Sequence, residues 1–331
     1  MSILPWSESI QSISTSSNYI VFQQRHNSLH ILLHNQTSTG YISIEAAARP
    51  RSLTAGSNYL EKGGTLATQF NPLSAPLPAE VPLPNSPLVR VIAQVRFPPV
   101  LSIEKQEFIA PFQEAIRATY PVLHPEQVQG IVLGPLGLAP GQKQIAWRFR
   151  DVEDKWRVSV TTEFIAIETT SYTSRSDFLN RLRFVLDAFN AHVEPALVQR
   201  LGIRYIDRVT GDALAGIENL VKKEVLGIVV TPFAEQARHS VTETLLDLPG
   251  SKEQILARWG KVPAGATVDP SAIEPIDEPS WALDLDMFSD DQYPFVPEEI
   301  VATSRKYAER LYTVFRWAVT DEFLRRYGGE P

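Results

Sequence analysis

Between Lys155 and Val209 the hydrophobic period of the chain changes twice. Trp156, Val158, Val160 and Phe164 alternate with Arg157, Ser159, Thr161 and Glu163. A period of two in β-branched and aromatic residues predicts a strand with one buried face. The alternation then inverts, with Ile165 and Ile167 as the apolar members, which predicts a bulge or burial on both faces. Phe178, Leu182, Val185, Phe189 and Val193 next recur every three or four residues, the stripe of an amphipathic helix. Ser174 or Ser176 is placed to cap it, Asp177 suits its positive end, and Pro195 stops it. A second strand is predicted over 197–209.

The same reading extends along the chain. Residues 19–25, 29–33 and 41–45 form short β-like runs separated by turn-rich segments, a small meander. Residues 50–87 carry seven prolines and Gly63-Gly64, so a semi-extended linker or arm is expected, with the main boundary near Ser86. Strand 88–97 places Val89, Val91, Ala93, Val95 and Phe97 on one face and Arg90 and Arg96 on the other. A helix is predicted over 104–119 despite Pro111, then a Gly/Pro-rich loop over 121–143, then a strand over 144–150 pairing with the one from Lys155. Beyond 212 come a short helix at 217–226, strands at 239–248, 253–262 and 281–288, and one long helix at 297–327. Pro297 opens that helix and Gly328-Gly329 ends it.

The predicted fold is therefore α+β: an antiparallel sheet or sheets with long helices on one face. A small meander (1–49) and a proline-rich linker (50–87) precede two halves, 88–212 and 213–331. The two halves share a strand-to-helix cadence that suggests pseudo-repetition.

Composition narrows the function classes. The 331 residues carry a net charge of −7 and no cysteine. The charge disfavours a general nucleic-acid or anionic-membrane binder. The missing thiols exclude disulfides, cysteine nucleophiles and thiolate zinc sites, and suit a cytoplasmic protein. The first residues lack the basic start and apolar core of a signal peptide, and no apolar run reaches membrane-span length.

The segments LVRVIAQVRFPP (88–99), Tyr120-Pro121, LGIRYIDRV (201–209), WALDLDMF (281–288) and VFRWAVTDEFLRR (314–326) together resemble a sporadically distributed family of uncharacterised bacterial proteins known only by a catalogue number. The resemblance covers about residues 86–327, and its most specific pieces are Arg204-Tyr205-Ile206-Asp207 and Leu283-Asp284-Leu285-Asp286. It implies no established activity. Its patchy occurrence is that of accessory or defence genes.

Three groups of residues are candidates for chemistry. Asp284 and Asp286 share one face of a strand and run towards Asp290 and Asp291. Paired carboxylates can hold Mg²⁺ for phosphoryl or nucleotidyl chemistry; the alternative is a solvent-facing strand side. Arg90, Arg96, Arg204 and Arg208 can bind carboxylate or phosphate in bidentate fashion, or pair with acids such as Glu163 or Asp207. His26, His30 and His34 are spaced by four, a metal pattern on a helix but not on the hairpin predicted here. No nucleophile elbow, zincin motif or phosphate loop occurs.

The sequence thus favours a binding or assembly component without cofactor, working with a protein partner or as a homo-oligomer. Tyr312 and Trp317, partly off the inner stripe of the last helix, are the expected partner surface. The alternatives are a Mg-dependent enzyme at Asp284 and Asp286, acting on nucleotides or nucleic acid, and a small-molecule binder with a cavity between sheet and helix.

Overall fold

The computed structural model describes residues 20–25, 28–35, 38–40, 70–134 and 137–331, with side chains over 70–127 and 144–331. The chain divides into two units, Met1–Gly64 with Gln127–Ile145, and Thr65–Glu126 with Ala146–Pro331. Within the first, β1 (Ile20–Arg25), β2 (Ser28–Asn35) and β3 (Ser38–Gly40) form an antiparallel meander. The side chains of His26, His30 and His34 lie outside the described residues.

The second unit is built on an α+β plan, as its alternating periods predict. In chain order the elements from Leu88 onward begin with β4 (Leu88–Arg96), α1 (Gln106–Ile116), β5 (Val122–Gly134) and β6 (Gly137–Arg150), the stretch Gln127–Ile145 of the last two belonging to the first unit. There follow β7 (Trp156–Val160), β8 (Phe164–Thr169), α2 (Arg175–Val193), β9 (Leu197–Val198) and β10 (Arg200–Val209). Three short helical pieces, α3 (Gly211–Ala215), α4 (Ile217–Leu220) and α5 (Lys223–Leu226), lead to β11 (Ser240–Asp247), β12 (Gln254–Val262) and β13 (Ser280–Ser289). The chain closes with β14 (Tyr293–Pro294), α6 (Pro297–Ala318) and α7 (Asp321–Arg326). Nine strands join in one sheet, in the order β11-β12-β13-β10-β4-β8-β7-β6-β5. Strands from both sequence halves share it, because β13 lies antiparallel against β10.

Register sorts every side chain to one of two faces. Val91, Ala93 and Val95 of β4 stand beside Tyr205, Ile203 and Leu201 of β10, and these beside Leu285, Met287 and Ser289 of β13. This apolar face carries α1, α2 and α6. Phe189 of α2 joins its parts, with ring centroids 5.3 Å from Phe97, 5.5 Å from Phe112 of α1 and 6.0 Å from Phe295. Ser174 caps α2 as expected, its hydroxyl accepting from the Asp177 N–H at 3.1 Å, and Glu194 ends it in the left-handed region.

Three local expectations need correction. The inverted alternation after Val160 marks a tight hairpin rather than a bulge, and β8 beyond it is buried on both faces, as the other reading expects. The Thr161 N–H donates to the Phe164 carbonyl at 2.9 Å, so that Val160 pairs with Ile165. The Gly/Pro-rich stretch 121–143 is for the most part strand, β5 running into β6. Pro125 falls in β5, an edge strand of the sheet, where proline is accepted more readily than in a central strand. The last helix is two: α6 stops at Ala318, Val319 bridges to Val221, and Thr320 caps α7 by accepting from the Phe323 N–H at 3.2 Å. Thr320-Asp321-Glu322 is a helix-start signature inside an otherwise continuous stripe.

The described part of the proline-rich segment, residues 70–86, lies along α6 and the chain's end. Arg310 donates to the carbonyls of Pro72 (2.8 Å) and Ala75 (2.7 Å). The Tyr312 hydroxyl accepts from the Val81 N–H at 2.8 Å and donates to the Ala79 carbonyl at 3.3 Å. Asn85 donates its N–H to the Tyr327 carbonyl at 3.2 Å.

Candidate functional site

The second face of the sheet is where charge collects. Its residues are Glu243 on β11, Arg258 on β12, Asp284 and Asp286 on β13, Arg200, Arg204 and Arg208 on β10, Arg90 and Arg96 on β4, Glu168 on β8 and Arg157 on β7. The segment 263–279 folds over part of this face. Its Ala272 and Ile273 bury Ile206, with Val89, Ile92 and Val268 beside them.

Asp284 is fully buried and sits between two guanidinium groups. Arg204 grips it in a two-bond fork, Nε to Oδ1 and Nη2 to Oδ2, both at 2.7 Å. Arg258 Nη1 donates to Oδ2 from the other side at 2.8 Å. The pairing propagates outward: Arg204 Nη1 lies 2.9 Å from Asp269 of the covering segment, and Arg258 Nε donates to Glu243 on the edge strand. Burial by itself would lower the Arg204 pKa, but the charge and hydrogen bonds of Asp284, with Asp269 and Asp286 behind it, raise it. Burial would likewise lift Asp269, yet Arg204 and the Ser271 hydroxyl pull it below its ordinary value.

Asp286 is held more loosely. Burial raises its pKa against the opposing pull of Arg200 and Arg204, and the charge of Asp284 adds to the rise. Arg200 reaches it at 3.4 Å by lying across Gly202, where a Cβ would meet the Arg200 guanidinium at 2.9 Å. The same guanidinium rests 4.3 Å from the Phe288 ring centroid and 3.6 Å from Asp290. Side-chain size at Gly202, rather than backbone freedom, is therefore what this position constrains.

The four sequence-predicted arginines do not form one site. Arg96 pairs with Glu163 at 3.4 Å, one of the acids the sequence offers. Arg204 belongs to Asp284 and Asp269. Arg90 and Arg208 stay together, with Arg157 added beyond Glu168. Asp207, the other expected partner, faces the opposite side of the sheet and meets none of them. It is buried near Tyr327, and burial alone raises its carboxyl from 3.8 to about 7. Sequence alternation separates Asp207 from the arginines but does not show that helices cover it.

On the helix layer, Tyr312 is not the open partner surface expected, because residues 79–81 of the same chain occupy its hydroxyl. Trp317 lines a shallow cleft of about 240 Å³ with Phe70, Pro78, Lys222, Thr313 and Arg316, and Lys222 Nζ stands 6.0 Å from its ring centroid. Among the described residues, no group of three or more His, Asp or Glu side chains is arranged to hold a metal ion. No known protein-family model matches the chain, and no curated protein is detectably similar to it.

Two predictions follow from this geometry. Removing Asp284 strands a guanidinium with 1% exposure, so Asp284→Ala should cost about 3–5 kcal/mol in urea unfolding and Asp286→Ala only about 1 kcal/mol. Equal losses would contradict the ranking. Asp207 holds a proton more tightly folded than unfolded. Its stabilising contribution is thus present below about pH 4 and lost as pH rises through its folded value of about 7. Asp207→Asn should be more stable than the parent at pH 8 by a few kcal/mol, with the gap narrowing below pH 7 and closing near pH 4. Thermal melts across that range check it, and a gap independent of pH would refute it.

Proposed function

We propose that the protein is a non-enzymatic assembly component that pairs with a second copy of itself along β11. The observation that carries this reading is the contrast between the two edges of the sheet. Exposed strand edges are normally blunted by proline, charge, bulges or short length. The β5 edge carries Pro125. The β11 edge runs for eight residues, SVTETLLD, with no proline and no basic residue. Its one mid-strand charge, Glu243, is turned inward to Arg258. The segment leading into β11 exposes Ile228, Val230 and Phe233, the last at 66%.

The occupant follows from face and charge. A two-fold axis normal to the sheet pairs antiparallel edges without exchanging faces. Centred on Thr244, it sets Thr242 opposite the other copy's Leu246, and Glu243 opposite its Leu245. No like charges face each other, and the helix layers of both copies stay on one side. The enzymatic alternative at Asp284 and Asp286 asks for a carboxylate open to a ligand, whereas both Asp284 oxygens are taken by guanidinium groups. A patchily distributed accessory component, as the family resemblance implies, is compatible with a scaffold of this kind.

Sedimentation velocity tests the reading. The full chain should sediment as a dimer at micromolar concentration. Thr244→Lys, which opposes two ammonium groups at the axis, should sediment as a monomer with an unchanged circular dichroism spectrum. A parent that stays monomeric at tens of micromolar, or a Thr244→Lys protein that still dimerises, would overturn it.

A further inference from the structure

The structure assigns an oxyanion-binding site to Arg90, Arg157 and Arg208 on the second face of the sheet, with the phosphate group of a small molecule as the ligand it fits. The site is independent of the β11 edge.

The row is set by register. Arg90 of β4 stands opposite Ile206 of β10, one same-face position before Arg208. The register shifts between Ile206 and Asp207, which leaves Val89 without a partner, and Val89 packs on Ile206 beside Arg90. On the other side Glu168 of β8 lies next to Arg90 and directly opposite Arg157 of β7. Three guanidinium groups thus cross four neighbouring strands around a single carboxylate.

Their charges are not balanced among the described residues. Glu168 contacts Arg157 closely, and its same oxygen Oε1 reaches Arg90 only at 3.5 Å. Arg90 Nε is buried without a hydrogen-bond partner. Arg208 donates to a neutral acceptor, the Glu274 carbonyl, at 2.6 Å. Burial lowers the Arg208 pKa, and the neighbouring Arg90 charge lowers it further, as expected for cations facing each other without a counter-ion. One carboxylate against three guanidiniums leaves two positive charges uncompensated. The Arg90 side chain is only 18% exposed, so water screens that excess poorly.

The rest of the same face shows the contrast. Arg96 has Glu163, Arg148 has Glu126, Arg150 has Asp154, and Arg204 has Asp284 and Asp269. A doubly charged tetrahedral oxyanion would supply the missing charge and accept from the terminal guanidinium nitrogens of Arg90, Arg157 and Arg208. Planar guanidinium forks are well suited to such acceptors. Ile206, Ala272 and Ile273 pack as a buried apolar cluster beside the row and keep its inner side dry.

The probe is inorganic phosphate added to the full chain, with sodium chloride at matched ionic strength as the control. The expected result is a saturable rise in melting temperature with phosphate, reproduced by sulfate and absent with chloride. In Arg90→Met and Arg208→Met the half-saturating phosphate concentration should rise about tenfold or more. Arg157→Lys, which keeps the charge and loses the fork, should fall between parent and methionine variants and serves if either of those does not fold. Phosphorus NMR line broadening on the unmodified protein gives an independent reading of binding. No phosphate effect beyond that of chloride, or an effect unchanged in the arginine variants, would overturn the assignment.

Discussion

A carboxylate with no solvent exposure is tolerable only if something replaces its water, and at Asp284 two arginines do so. The second face of the sheet is arranged from that pair outward. Arg204 binds Asp284 from β10 and extends to Asp269, which fastens the covering segment 263–279. Arg258 binds it from β12 and extends to Glu243, which turns the only mid-strand charge of β11 inward. One buried acid thus fixes three strands, a crossing segment and the character of a sheet edge. Residues suited by type to metal chemistry are committed to holding the sheet together.

That commitment divides the molecule. At β10 to β13 the charges close on one another, and both Asp284 oxygens are taken by guanidinium groups. Across β4, β8 and β7 the arginines outnumber the acids, and the excess positive charge is half-buried. The helix side contributes little polar chemistry, since its face is filled by the Phe97, Phe112 and Phe189 cluster and by strand residues such as Val91 and Ile203. The anion site and the edge pairing that we propose therefore lie in different parts of one sheet, and neither requires the other.

Much of the fold was legible in the sequence. The period-two runs at 88–96, 200–209, 254–262 and 281–288 gave strands because their apolar positions are covered by helices on one side only. The α2 stripe gave a helix with the right cap for the same reason. Pairing was not legible, because alternation reveals a face but not a neighbour. Nothing in WALDLDMF says that Arg204 and Arg258 flank it. The strands β5 and β6 were hidden by glycine and proline, which an edge strand accepts and a central strand does not. The hairpin at Thr161–Glu163 lacks the usual Asn-Gly or Asp-Gly signal, so its inverted alternation resembled a bulge. The candidate arginines were found as individuals. Their division into paired and unpaired sets depends on Glu163, Asp269 and Glu168, which are distant in sequence and meet them only in the folded sheet.

The central claim is that Asp284 serves as the internal counter-ion of the sheet. A double-mutant cycle between Arg204→Met and Asp284→Asn, read by equilibrium urea unfolding at neutral pH, tests it most directly. A coupling energy of about 2–3 kcal/mol is predicted for groups joined in one buried network. Additive losses, with coupling below about 0.5 kcal/mol, would contradict it and leave Asp284 available for another role.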